Sequence, residues 1–111
     1  LKSLSIPLQI KSCHPPKLSP EFLRTVEKKF KALADEKRLE ILNEITRCGS
    51  VCVCDLSETI QMQQSKLSYH LKILLEADLI KKETKGTWNY YRLHHEALSE
   101  LLSEQLCCIF R

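Results

Sequence analysis

The sequence predicts a mainly α-helical domain completed by one β-hairpin, and three observations predict it. Glycine and proline are scarce, at 2 and 4 residues of 111, which disfavours a turn-rich all-β fold. Apolar residues recur at helical spacing along most of the chain from Ser19 onward. Between Ile80 and Leu93 the spacing changes to alternation: Tyr91 and Leu93 on one side, Trp88, Tyr90 and Arg92 on the other, around a Lys85-Gly86-Thr87 turn signal. At this length the chain forms one domain with a modest core.

Residues 1–18 lack helical periodicity and contain Pro7, Pro15 and Pro16, so they read as an irregular N-terminal arm carrying Cys13 and His14. The folded domain is expected over 19–111. Ser19-Pro20-Glu21 starts a first helix, with a capping hydroxyl, a proline in the first turn and an acid where the helix dipole favours one. Phe22, Val26, Phe30 and Leu33 keep one apolar face as far as Asp35. Asp35 can cap a second helix with a stripe of Leu39, Ile41, Leu42 and Ile45, ended by Cys48-Gly49-Ser50. Residues 54–61 form a short third helix with Leu56 and Ile60 inward. After a Met62-Gln63-Gln64 turn, residues 64–77 form a fourth, with Leu67, Leu71, Leu74 and Leu75 on one side. A short helix, a turn and a second helix with a polar, basic outer face is the helix-turn-helix pattern. The hairpin that follows reads as a basic wing. A last helix, about 95–109, carries Ala97, Leu98, Leu101, Leu102, Leu106 and Ile109. A stripe that broad on a terminal helix suggests a subunit interface as well as a core.

The net charge of +3 argues only weakly for a nucleic-acid partner. Its distribution argues more: Lys66, His70 and Lys72 cluster in one segment and Lys81, Lys82, Lys85 and Arg92 in the next, whereas the last helix carries Glu96, Glu100 and Glu104. Six cysteines are many for this length. The N-terminal run is broken by Pro7, Gln9 and Lys11 with no small-residue cleavage site after it, so a secretory signal is not read. Adjacent Cys107 and Cys108 make poor disulfide positions, because a vicinal bridge is strained. A reduced, cytoplasmic chain whose thiols bind metal or sense redox state is the expectation. No apolar run reaches membrane-spanning length. No cysteine is placed with a recognisable histidine base and orienting group, and no phosphate loop occurs, so the chain is not read as an enzyme.

Four signatures stand in order from about residue 30 to the C-terminus. They are the run Ala32 to Leu42, the motif Cys52-Val53-Cys54-Asp55-Leu56, the run Leu67-Ser68-Tyr69-His70-Leu71-Lys72, and Gly86 to Leu93. Together they resemble those of ArsR/SmtB-type transcriptional repressors, and the cysteine motif is similar to that of the arsenical-repressor branch. The resemblance implies a homodimeric winged helix-turn-helix repressor that occupies operator DNA and leaves it on binding a metal or metalloid. Two positions depart from the pattern. Asp78 stands where a glycine usually follows the recognition helix, and Gln63 where a capping serine is common. The zinc site that some relatives carry on the terminal helix is not transferred, because His94 and His95 are followed by no further histidine or aspartate.

The resemblance makes Cys52 and Cys54 candidate metal ligands and As(III) or Sb(III) the inducer. These ions are soft and thiophilic and form three-coordinate thiolate complexes; Cd(II) and Pb(II) also favour thiolate, and Zn(II) accepts thiolate with imidazole. On a regular helix, residues i and i+2 point about 200° apart, so one ion that takes both thiols requires a non-helical start to the third helix. Cys107, Cys108 and Cys13 compete to supply a third sulfur. Two other functions stay open: a cadmium-, lead- or zinc-responsive repressor using Cys13, Cys52 and Cys54, and a thiol redox switch that controls DNA binding. The plain structural reading of the pair is two small buried apolar residues. Cys48, at a helix end, reads as structural.

On the DNA side, Gln64, Ser65, Lys66, Ser68 and Tyr69 are expected to face the major groove, where glutamine can pair with adenine. His70 and Lys72 are expected at phosphates, and Lys85 on the wing at phosphate or in the minor groove. A twofold dimer implies a pseudo-palindromic double-stranded operator, with half-sites about one helical turn or a multiple apart.

Overall fold

The computed structural model describes residues 17–105. The expected arm up to residue 16, with Cys13, lies outside the described residues, as do Leu106, Cys107, Cys108 and Ile109. Helix α1, Pro20–Leu33, starts where the capping signal puts it: the Ser19 hydroxyl accepts the Phe22 N–H at 3.1 Å. Helix α2, Glu36–Cys48, is capped in the same way, the Asp35 carboxylate accepting the Arg38 N–H at 3.0 Å. It stops at Gly49, whose φ of +81° is one that a side chain resists.

Strand β1, Val51–Cys52, comes next, followed without a break by helix α3, Val53–Ile60, and helix α4, Gln64–Glu76. Strands β2, Ile80–Lys85, and β3, Trp88–Leu93, make the hairpin. Helix α5, His95–Ser99, continues as a π-helical segment over Glu100–Gln105. The sheet order is β1-β3-β2, so the return strand of the hairpin is the central one. Val51 pairs with Tyr91 and Cys52 with Tyr90. A two-residue strand is too short to show alternation in the sequence. It also puts the start of α3 at Val53, one residue before the expected 54.

The core is formed by the inner faces of α2, α3 and α4 with the base of the hairpin. Ile41, Ile45, Leu56, Leu67, Leu71, Leu74, Leu79, Ile80 and Leu101 are fully buried. Two expected members of apolar stripes are exposed instead. Leu39 is 52% exposed, because it lies about 110° around the helix from the centre of the arc set by Ile41, Leu42 and Ile45. Leu102 is also exposed, although its neighbour Leu101 is fully buried.

The end of α4 is fixed from several sides. Asp78 takes φ +62°, and the N–H groups of Asp78 and Leu79 bond back to the carbonyls of Leu75 and Leu74 at 2.9 and 3.0 Å. This is the Schellman arrangement, with aspartate accepting the left-handed conformation that glycine takes more easily. The His94 ring reaches the same residue, with Nδ1 3.1 Å from the Asp78 carbonyl and 3.4 Å from its carboxylate. The buried Lys29 of α1 donates to the Ala77 carbonyl at 2.6 Å, a cation set on the negative end of the α4 dipole. Lys29→Met keeps the aliphatic stem and leaves that carbonyl without its donor. It should lower stability by about 1–3 kcal/mol in urea denaturation. An unchanged midpoint would show that Lys29 contributes only its stem.

Candidate nucleic-acid interface and thiol site

Helix α4 divides cleanly. Leu67, Leu71 and Leu74 are buried against α2 and α3, while Gln64, Ser65, Lys66, Ser68, Tyr69 and Lys72 are exposed. Tyr69 is 61% exposed, large for an aromatic side chain. Neither α3 nor α4 has a side-chain cap, since Cys52 and Gln63 occupy the cap positions without such a bond. The first-turn N–H groups of α4 therefore lack a side-chain acceptor. Lys37, Gln61, Met62, Gln63 and Lys66 line a concavity of about 400 Å³ at this end of the helix. Lys37 is not singled out in the sequence, where it stands within the run Ala32 to Leu42.

His70 corrects the expected outer face. It is buried, packs edge-on to Tyr69 with ring centroids 5.3 Å apart, and lies on Arg38 rather than toward solvent. Arg38 Nη1 is 3.1 Å from His70 Nδ1. Arginine can only donate, so Nδ1 accepts and the proton of the neutral ring sits on Nε2. Arg38 also donates through Nε to the Ala32 carbonyl at 2.7 Å, tying the end of α1 to α4. At position 70 the side chain comes three residues after Leu67 and one before Leu71, inside the buried arc; a polar residue type masked that placement.

On the wing, Gly86 turns the chain at φ +64° and Thr84 Oγ1 donates to Asn89 Oδ1 at 2.8 Å across the hairpin. Lys85 is exposed, its ammonium 5.5 Å from the centroid of the Tyr90 ring. Trp88, the single tryptophan, is 53% exposed beside the turn.

The two thiols fall on opposite sides of a strand–helix junction. Cys52 is extended, at φ −85° and ψ 160°, and buried beneath the sheet pairing with Tyr90. Cys54 is the second residue of α3 and half-buried, and Gln64 Nε2 lies 3.8 Å from its sulfur. Both are free thiols, a donor type suited to soft, thiophilic ions. Cys48, also free, is exposed and donates to Glu44 Oε2 at 3.4 Å. Desolvation, the hydrogen bond to Glu44 and that residue's charge push its thiol up, away from the thiolate form a ligand needs. Among the described residues no group of three or more His, Cys, Asp or Glu side chains is placed to hold a metal ion. Among the described residues Cys52 and Cys54 are thus two candidate sulfur donors without a third ligating side chain grouped with them.

A family model described as bacterial regulatory protein, arsR family, matches residues 35–82. The arsenical resistance operon repressor of Bacillus subtilis (strain 168) is 66% identical over 91 residues, which are 82% of this chain and 87% of that protein. Among solved structures, the homodimeric winged helix-turn-helix DNA-binding domain of a possible ArsR-family regulator from Mycobacterium bovis superposes with a TM-score of 0.68. It is 26% identical, and the match covers 79% of this chain and 82% of that one. The AntR antimony-specific transcriptional repressor superposes at 0.65 with 25% identity, covering 95% of this chain and 93% of that one.

The His70–Arg38 contact has a pH signature. Desolvation holds the imidazole below its ordinary 6.5; Arg38 and Lys66 add to this, while Asp35 opposes it. The folded state therefore favours the neutral ring, and the resulting stability is fully present above about pH 6.5 and lost as pH falls through the lowered value. Asp35, held below its ordinary 3.8 chiefly by the Arg38 N–H, acts in a separate and more acidic window. Urea midpoints should fall from pH 7 to pH 5, and by less in His70→Gln. Equal falls in both proteins would remove His70 from the account.

Proposed function

The chain belongs to the arsR family of bacterial regulatory proteins, and from that premise we propose that it is a homodimeric repressor released from operator DNA by arsenite or antimonite ligated at Cys52 and Cys54. The family is one of DNA-binding transcriptional regulators responsive to metals or metalloids, and it is not catalytic. The observation that carries the finer reading is one of position: two free thiols flank the first residue of the helix that packs under the reading helix. The identity to an arsenical resistance operon repressor supports the choice of ligand.

In this reading each cysteine displaces one hydroxide from the metalloid. An As–S bond forms, an As–O bond breaks, and the thiol proton leaves with the hydroxide as water. Cys52 is held in the sheet and Cys54 in the first turn of α3, so taking both draws that turn out of helical geometry. Helix α3 supports α4, so its distortion lowers the fit of the reading face to DNA. The third sulfur comes from Cys107, Cys108 or Cys13. The apolar groove of Leu93, Leu98 and Leu102 near the terminal helix supports a twofold partner there. Gln64, Ser65, Lys66, Ser68 and Tyr69 read the major groove; Lys72 and Lys85 hold phosphates.

The direct test is operator release against arsenite, antimonite, cadmium and zinc under full reduction, on a duplex selected by the wild-type chain from a random pool. Arsenite and antimonite should release the wild type; Cys52→Ser and Cys54→Ser should still bind DNA and lose the response. Release by cadmium at far lower concentration, or by peroxide alone, would replace this reading. On the DNA side, log affinity should fall linearly with log salt, and Lys66→Ala should reduce the slope by about one ion. An unchanged slope would take Lys66 off the phosphates.

A further inference from the structure

We propose that Gln64 is the side chain that transmits the state of Cys54 to the reading face of α4, an inference that rests on the function proposed above. Gln64 opens α4 and is exposed, so it stands at the end of the helix where base contacts begin. Its amide nitrogen lies 3.8 Å from the sulfur of Cys54, ten residues earlier on α3. A candidate ligand and a candidate base-reading side chain are thus in direct contact, with no backbone movement needed to link them.

The chemistry of the amide makes the contact directional. Glutamine offers two N–H donors and one carbonyl acceptor. With one N–H on sulfur, the carbonyl and the other N–H remain free, and these are the pair that matches N6 and N7 of adenine. The sulfur contact fixes a long side chain that would otherwise lose rotamer freedom on docking, so it prepares Gln64 for DNA. Ligation removes it. The Cys54 proton leaves as water with a displaced hydroxide, the sulfur commits an electron pair to arsenic, and its capacity as an acceptor falls. If the amide is turned the other way, the thiol S–H donates to the carbonyl, and loss of that proton ends the bond as well. In both orientations the free thiol holds Gln64 and the ligated one lets it go.

The test is a double-mutant cycle on operator affinity in metalloid-free, full-length protein, using the duplex selected from a random pool. Cys54→Ala should weaken binding about two- to fivefold where Gln64 is present, as expected for one solvent-exposed hydrogen bond. It should have no effect in a Gln64→Ala background. Gln64→Met, which keeps length and loses the amide, should behave like Gln64→Ala, and Cys54→Ser, which keeps an acceptor, should retain more affinity than Cys54→Ala. In Gln64→Ala the arsenite-induced loss of affinity should shrink by the same factor as the coupling. Equal effects of Cys54→Ala in both backgrounds would overturn the inference. A wild-type complex that arsenite fails to release would overturn the proposed function instead, because the cycle is measured without metalloid.

Discussion

The two-residue pairing of β1 with β3 is the constraint on which the rest depends. Val51 opposite Tyr91 and Cys52 opposite Tyr90 make the return strand of the wing the centre of the sheet. The next residue, Val53, is already helical. A few backbone hydrogen bonds therefore set the start of α3 relative to the wing, and α3 in turn supports α4. The same pairing buries Cys52 and keeps it extended, while Cys54 turns with the helix. Cys52, the start of α3 and the wing are thus joined at one junction.

Helix α4 is held unequally at its two ends. At its C-terminus the Lys29 ammonium, the Schellman bonds to Leu74 and Leu75, and the His94 ring on Asp78 satisfy the last carbonyls and fix the exit of the chain. At its N-terminus Gln63 supplies no cap, and the Gln64 side chain reaches back to Cys54. α1 and α2, which frame the domain, both have side-chain caps. A missing cap costs about 0.5–2 kcal/mol, and α3, α4 and α5 all begin without one. Elements that change state are drawn from the less stable parts of a fold, and the first turns of α3 and α4 are among the uncapped ones.

Much of this was legible in the residues because local chemistry decided it. Ser19 and Asp35 cap where their side chains can reach back, Gly49 stops α2 with a positive φ, and alternation in the hairpin sorts Tyr91 and Leu93 from Trp88 and Arg92. Asp78 takes a left-handed turn at the position where a glycine usually stands. What local chemistry did not decide was missed. Strand β1 exists only because a distant strand pairs with it. His70 lies inside the buried arc of α4, where Arg38, 32 residues earlier, offers its ring a donor. Leu39 stays exposed because three better-placed residues fill the arc. At the thiols, the motif identified two sulfurs, but the spacing could not show that a strand ends and a helix begins between them.

The proposed release has the first turn of α3 open when one ion is held across that junction. In a regular helix starting at Val53, the N–H groups of Leu56 and Ser57 bond back to the carbonyls of Cys52 and Val53. Their amide exchange is the most direct reading of the claim. Ligation of both thiols predicts faster exchange at Leu56 and Ser57 when arsenite is added, while the fully buried Leu71 and Leu74 of α4 stay protected. Unchanged exchange in that turn, under conditions where arsenite binds and the operator is released, would contradict it.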